Sequence, residues 1–454
     1  MVDVLTDHAQ QSANGVSEPK PPLERKPDSD DIAQDLEELW KNSMAYFWSN
    51  WRRYEAGCWD IRQIGEVHFA ARAFLRKYRE KGMRVSMSLT REIVSLAETG
   101  LLITDRKLID VGESQRVYIN LRNGLYNIYT HQLEPHRPEL YFTHQSPFSY
   151  DPSATCPTFA EYLKTSLVGE DGKPSREMAL LLGEAMAYSM TGLIHMKKSF
   201  WVRGVPDSGK SKLMTLIADM NGGFHEAFDL NQLGTNRFML VKMVGKRVVT
   251  FPEANEGSIL PDGLYKALVG AGDAIYAEEK NKPGFTFVPQ AKVWWAMNNA
   301  PRTLDNSGAV ANRLCVILFN RAIPPEQQIS NLSERLRAEM PGIFNWLMTR
   351  LRHLQVNHHF TSPVESERWL QEFKLRNDTY QTFVNEMCIV DPNAKELSRE
   401  LYSGYKEWAM NNGFVPKNIN QVSVEWKRLG FESRQIDGYP YWYGVALKKT
   451  QHRF

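Results

Sequence analysis

A chain of 454 residues is too long for one ordinary core, and roughly two to four domains are expected. Its 42% hydrophobic and 24% charged residues describe a globular protein, and a net charge of +2 excludes nucleic-acid binding by overall charge, leaving only local basic surfaces. Four scattered cysteines (Cys58, Cys156, Cys315, Cys388) with no C-x-x-C pair argue against a zinc ribbon or a disulfide scaffold and suit a reducing compartment.

Residues 1–33 are rich in Gln, Ser, Pro, Lys and Asp and read as a disordered tail. Helical spacing begins at Asp35 and runs to Trp48 through Leu36, Leu39, Trp40, Met44 and Phe47. The basic-aromatic WRRY at Trp51 to Tyr54 reads as a helix face with buried rings rather than a nucleic-acid contact. Helical patterns continue over 69–78 and 90–99, and RVYINLRNGLYNIY then alternates like two strands around Asn123–Gly124. A Pro- and Ser-punctuated connection leads to helices over 159–167 and 177–190. The longest apolar stretch, 178–196, is broken by Glu184 and two glycines, so a buried helix is expected and no membrane span. No signal peptide pattern opens the chain, and a cytoplasmic protein is expected.

The next stretch, FWVRGVPDSGKSKLM, organises the whole chain. An apolar run (Phe200, Trp201, Val202) enters Gly204, Val205, Pro206, Asp207, Ser208, Gly209, Lys210 and Ser211, and a helix-compatible segment follows. That is G-x-x-x-x-G-K-S in strand–loop–helix context, the pattern of a phosphate-binding loop. Its glycines let backbone N–H groups turn inward on phosphates, and the helix N-terminus adds its dipole. Lys210 would reach the β- and γ-phosphates and Ser211 would hold magnesium.

Three more apolar runs follow: KRVVTF (246–251), KVWWAM (292–297) and LCVILF (314–319). Continuous runs of this kind are what a buried parallel sheet writes into sequence, with ligands at the strands' carboxyl ends. Glu253 follows the first run, where a P-loop enzyme needs an acid for metal and water. Asn298, with Asn299 as its competitor, stands at the tip of the second. Arg313 precedes the third. After a break at 355–363, helices are expected over 369–386, 394–411 and 420–429, then a hairpin over 431–447 turning at Asp437–Gly438.

In this order the motifs resemble superfamily 3 helicases, in the phage/plasmid and poxvirus primase–helicase branch. The likeness runs from about Arg116 to Leu447 through YINLRNGLYNI, FSYDPSATCPTF, GVPDSGKS, GKRVVTFPEANEG, LYKALVGAGDAIYAEEKNKPGFTFVPQAKVWWAMNN, NRLCVILFN and EMPGIFNWL. The resemblance implies an AAA+-like ATPase that forms a homo-oligomeric ring, a hexamer, and moves along single-stranded and forked DNA using ATP and magnesium. It assigns Lys210 and Ser211 to Walker A, Glu253 to Walker B, Asn298 to the sensor and Arg313 to a finger acting on a neighbour's ATP. Residues 278–287 would be the channel hairpin, with Lys280, Asn281 and Lys282 on DNA at its KNKPG tip. Pro252 departs from the family pattern, which leaves open whether Glu256 assists. The upstream region lacks a primase constellation, so a separate primase or polymerase is the expected partner.

The fold class expected is therefore α/β: a P-loop AAA+-like ATPase core over 166–355, a mainly helical N-terminal domain over 34–165 and a winged-helix C-terminal domain over 356–454. The function expected is ATP-dependent DNA unwinding in replication of a mobile element. The alternative is a nucleotide-switched, origin-binding initiator that unwinds weakly or not at all.

Overall fold

The computed structural model describes residues 26–104, 113–229, 237–251, 259–278, 280, 284–303 and 308–448. The chain divides into two compact units, one of residues 1–54 and 60–104, the other of 55–59 and 105–454.

The smaller unit buries one face of each of three helices, Ser29–Trp40, Ile64–Leu75 and Met87–Gly100, around Ile32, Leu36, Val67, Ala71, Ile93 and Ala97. The first helix starts inside the expected tail, because Asp28 and Asp31 form a reciprocal capping box. It also ends earlier than helical spacing suggested. Met44–Phe47 pairs antiparallel with Asn50–Glu55, and Trp48 and Ser49 turn the chain with φ of 52° and 58°. WRRY is therefore strand and not helix. Trp51 is buried against Trp40, and the Arg52 guanidinium lies 4.7 Å from the Phe47 ring centre. Nothing in the pair Trp48–Ser49 announces a left-handed turn, since Asn and Gly normally supply one.

The larger unit is built on five parallel strands. These are β1 (Ser199–Gly204), β2 (His225–Ala227), β3 (Val248–Phe251), β4 (Lys292–Met297) and β5 (Leu314–Phe319), in spatial order β5-β1-β4-β3-β2. All six residues of β5 and all four of β3 are buried, as expected for a sheet covered on both faces. Tryptophans cross-brace it: Trp201 meets Trp295 at 5.5 Å, and Phe200 meets Trp294 at 4.7 Å between ring centres.

Helices α1 (Pro157–Ser166), α2 (Arg176–Met190), α3 (Lys210–Asn221), α4 (Asp262–Val269), α5 (Met340–Asn357) and α6 (Val364–Asn377) share one continuous core with the sheet. Ile119, Leu121 and Tyr126 of the upstream three-stranded sheet belong to that same core, Tyr126 lying 5.0 Å from the Phe344 ring. No core boundary therefore falls at 165. None falls at 356 either: α5 runs through it, and α6 packs Phe373 on Trp201 at 5.5 Å.

Two cations are buried at the amino edge of the sheet. Arg247 Nη1 donates to the Met190 carbonyl at 2.7 Å and Nη2 to that of Tyr118 at 2.9 Å. Lys292 Nζ donates to the Thr191 carbonyl. Both therefore meet carbonyls where α2 ends, where a helix favours positive charge. Burial, with Arg247 and Arg116 nearby, holds the Lys292 amine well below its usual pKa.

The last segment runs helix (Thr379–Met387), strand (Cys388–Leu397), helix (Ser398–Asn411), helix (Ile419–Arg428) and two strands (Glu432–Ile436, Tyr439–Leu447). The helix expected over 369–386 is broken at Asp378, whose carboxylate caps the next helix, and residues 394–397 are strand. The terminal hairpin turns at Asp437 and Gly438 with φ of 52° and 82°. Within YPYWYG, Trp442 is buried against Trp426 at 5.3 Å and donates to Ser398 Oγ at 3.0 Å, while Tyr439 is exposed. No helix among the described residues is long and apolar enough to cross a membrane. No disulfide joins any of the four cysteines.

Candidate nucleotide site

β1 delivers the chain to the carboxyl edge of the sheet, where Gly204 needs its missing side chain. A Cβ there would collide with the Phe319 carbonyl of β5. Val205, Pro206 and Asp207 are exposed, and Ser208 turns inward to donate from Oγ to the Val205 carbonyl at 2.7 Å. Gly209 closes the loop at φ 97°, a left-handed conformation disfavoured for side chains, and a Cβ would stand 2.9 Å from Ser166 Oγ. Helix α3 starts at the next residue, so its free N–H groups face the loop.

The Lys210 side chain is 8% exposed; its Nζ donates to the carbonyl of Gly204 at 2.9 Å, to that of Val205, and to Ser208 Oγ at 3.3 Å. The cation is thereby held over the loop, beside Ser211, whose side chain is exposed. The chemistry of this loop suits a phosphate chain and its magnesium: a helix N-terminus, one cation and one hydroxyl.

Tyr162 of α1, fully buried beneath the loop, donates its hydroxyl to the Gly209 carbonyl at 3.0 Å. Burial pushes its phenol pKa up, which keeps the proton on the donor. Sequence reading missed this residue. A tyrosine on an amphipathic helix 47 positions upstream carries no signal that it reaches the loop.

β4 lies beside β1 with Met297 opposite Arg203, so Asn298 leaves the sheet level with Gly204. Its Oδ1 is buried and has no hydrogen-bond partner among the described residues. Asn299, its competitor, is exposed and lines a separate cleft of about 400 Å³ with Arg203, Trp369 and Phe373. β3 ends at Phe251, opposite Trp295 of β4. Glu253, Pro252 and Glu256 lie outside the described residues.

Arg313 is not brought to this site. It immediately precedes Leu314, whose partner is Ser199 at the opposite end of β1. Five strand steps separate that level from Gly204, about 17 Å. Arg313 Nη1 donates to the Ala309 carbonyl at 2.9 Å, and its Nε is buried with no partner among the described residues.

The expected hairpin arms also lead to the amino edge. Ile275–Ala277 pairs antiparallel with Phe285–Phe287, and the second arm runs into β4 at Lys292. Lys280 is exposed; Asn281 and Lys282 lie outside the described residues. No group of three or more His, Cys, Asp or Glu side chains suited to a metal is found among the described residues.

Two family profiles match. Residues 37–168 match "D5 N terminal like", and residues 202–313 match a family of unknown function, DUF5906, over the P-loop through Arg313. Three curated viral proteins are similar. A putative helicase of Acanthamoeba polyphaga mimivirus is 24% identical over 53% of this chain, and one of Frog virus 3 is 22% identical over 56%. A putative helicase of Sputnik virophage is 21% identical over 73%. The chain thus joins a D5 N-terminal-like region to a DUF5906 region and is similar to viral putative helicases. It spans only 28%, 28% and 45% of the lengths of those three relatives. Among solved structures, this chain is similar to the apo NrS-1 C-terminal region. The TM-score is 0.48 at 11% identity, covering 93% of this chain and 100% of that one.

Proposed function

We propose that this chain is the ATP-dependent motor of a DNA helicase acting in replication of a virus, phage, plasmid or other mobile element. The observation that carries the reading is the division of parts across the sheet. The phosphate cradle and Asn298 share the carboxyl edge, while Arg313 and the base of the 275–287 hairpin share the amino edge. An arginine about 17 Å from its own P-loop is too far to serve its own nucleotide, so in this reading it acts on another subunit's within a ring of copies.

In this reading, the loop amides and Lys210 bind the triphosphate, and Ser211 and Glu253 hold magnesium. Magnesium, when bound, neutralises charge on the phosphate oxygens. Asn298 orients the attacking water through its amide, and Glu253 accepts the water's proton. Arg313 from a neighbour stabilises charge developing on the transferred group. The segment 379–447, ordered helix–strand–helix–helix–wing, is read as a winged helix, and a separate primase or polymerase as a partner. Forked DNA labelled on either strand, with ATP and magnesium, tests the assignment. Strand release that needs hydrolysis is expected, and ATP-dependent binding without release would favour the initiator alternative.

Tyr162→Phe keeps the buried ring but removes the donor to Gly209, a loss of about 1 kcal/mol. The KM for ATP should rise roughly fivefold with thermal stability nearly unchanged. An unchanged KM would show that the loop holds its shape without this brace.

Lys280 and Lys282 provide a second test. Gly284 closes under Tyr276, where a Cβ would collide with the phenol hydroxyl, so the arms can approach closely at the turn. Replacing both lysines with alanine should make the salt dependence of single-strand binding shallower by roughly one to two units of slope. DNA-free hydrolysis should persist while unwinding falls severely. If hydrolysis is lost as well, the hairpin supports the ATPase fold; intact unwinding removes it from the DNA path.

A further inference from the structure

The strongest local charge among the described residues belongs to the smaller unit, which contributes no residue to the nucleotide site. Residues 72–84, RAFLRKYREKGMR, contain six cations and a single carboxylate, in a chain whose total charge is only +2. The end of helix Ile64–Leu75, the 3-10 turn Arg76–Arg79 and the bend after it carry them. Arg72, Arg76, Lys77, Arg79, Lys81 and Arg84 are all exposed. Among the described residues only Lys77 has a carboxylate partner, Asp35 at 3.7 Å.

Stabilising the helix end explains one or two basic residues, because the dipole's influence fades within the last turn. It does not explain Arg79, Lys81 and Arg84, which lie beyond the helix. Like charges at this density repel one another, so the cluster costs stability unless an anion meets it.

A second observation points to the anion's nature. Phe69 is 75% exposed, and it stands three and seven positions before Arg72 and Arg76, on the same helical face. The buried side of this helix is already filled by Val67, Ala71 and Leu75, so Phe69 is not needed for the core. An exposed ring in line with unpaired guanidiniums is the pairing that single strands use: a platform for a base and cations for the phosphates. Duplex DNA keeps its bases stacked inside and offers the ring nothing.

We propose that the face formed by Phe69, Arg72, Arg76 and Arg79 binds single-stranded DNA, with the arginines on phosphates and a base stacked on Phe69. The choice of DNA rests on the helicase reading above; the single-stranded, anionic character of the ligand does not. This contact would be additional to the 275–287 hairpin and independent of the nucleotide site.

The test uses the full chain without nucleotide and a fluorescein-labelled oligothymidylate, titrated at several salt concentrations. The triple variant R72A/R76A/R79A should lower the slope of log affinity against log salt by about 2, near 0.7 for each lost phosphate contact. Phe69→Ala should weaken binding about tenfold at fixed salt, leaving both that slope and blunt-duplex affinity unchanged. DNA-free ATP hydrolysis should match the parent in both variants, which also verifies folding. A triple variant with the parental slope overturns the proposal, as does Phe69→Ala binding like the parent. Equal weakening on duplex and single strand overturns the single-strand assignment. If the parent hydrolyses ATP yet binds no oligothymidylate, both this proposal and the helicase reading fail. Loss in the variants against a binding parent supports the proposal whatever the unwinding assay shows.

Discussion

Lys210→Ala should lower ATP turnover at least a hundredfold, roughly 3 kcal/mol or more of transition-state stabilisation. Lys210 Nζ is held between the Gly204 and Val205 carbonyls and Ser208 Oγ, at the mouth of the amide cradle. It is the cation of the loop itself, so nothing adjacent in the loop can replace its charge on the phosphates. The backbone cradle remains, because Gly204 and Gly209 are placed by β5 and α1 rather than by the lysine. Nucleotide affinity should therefore fall less than turnover does. Steady-state hydrolysis alongside binding of a fluorescent nucleotide measures both. Turnover near the parental rate would remove the nucleotide assignment for this loop.

Arg313→Ala should be as damaging, with a loss of about a thousandfold, and the loss should be repairable in trans. Arg313 sits at the amino edge of the sheet, one position before the partner of Ser199, and cannot reach its own P-loop. Parental activity per subunit should accordingly rise with protein concentration as rings assemble. Mixing Arg313→Ala with Lys210→Ala protein should recover activity. Where the two meet in one order, the interface carries Lys210 from one subunit and Arg313 from the other. Sedimentation of each variant checks that assembly survives. Mixtures that stay inactive while rings form would make Arg313 a structural residue, holding the turn at Ala309.

The parts legible in advance share one property: their geometry is decided within a few neighbouring residues. Gly204 and Gly209 with Lys210 and Ser211 describe a loop whose conformation is local, and the loop stands where the motif put it. The runs VVTF, KVWWAM and LCVILF could be read as buried parallel strands because every residue in such a strand faces protein. Asn123–Gly124 and Asp437–Gly438 marked their hairpins because those residues tolerate left-handed backbone. Trp48–Ser49 carries no such mark, and the strand pair 44–55 was missed for that reason.

Domain limits were illegible for a different cause. Within the pattern break at 355–363 only 358–363 is a loop, and Trp369 and Phe373 beyond it complete the face of Trp201. Likewise Ile119 and Tyr126 look like a separate hairpin until Phe344 packs on Tyr126 and both join the larger core. Which core an apolar side chain joins depends on what arrives opposite it, and periodicity records only that it is buried.

Sequence alone thus determined the strand–loop–helix around 204–211 and the buried strands, because these rest on local backbone chemistry, and their order singled out Lys210, Asn298 and Arg313 as candidates. Tertiary structure alone decided the β5-β1-β4-β3-β2 order and the support of Gly209 by Tyr162. It also separated half-buried Asn298, with its buried Oδ1, from exposed Asn299 and set Arg313 at the far edge from its own loop. These depend on which strands become neighbours and in what register, a matter of long-range pairing that no local pattern encodes.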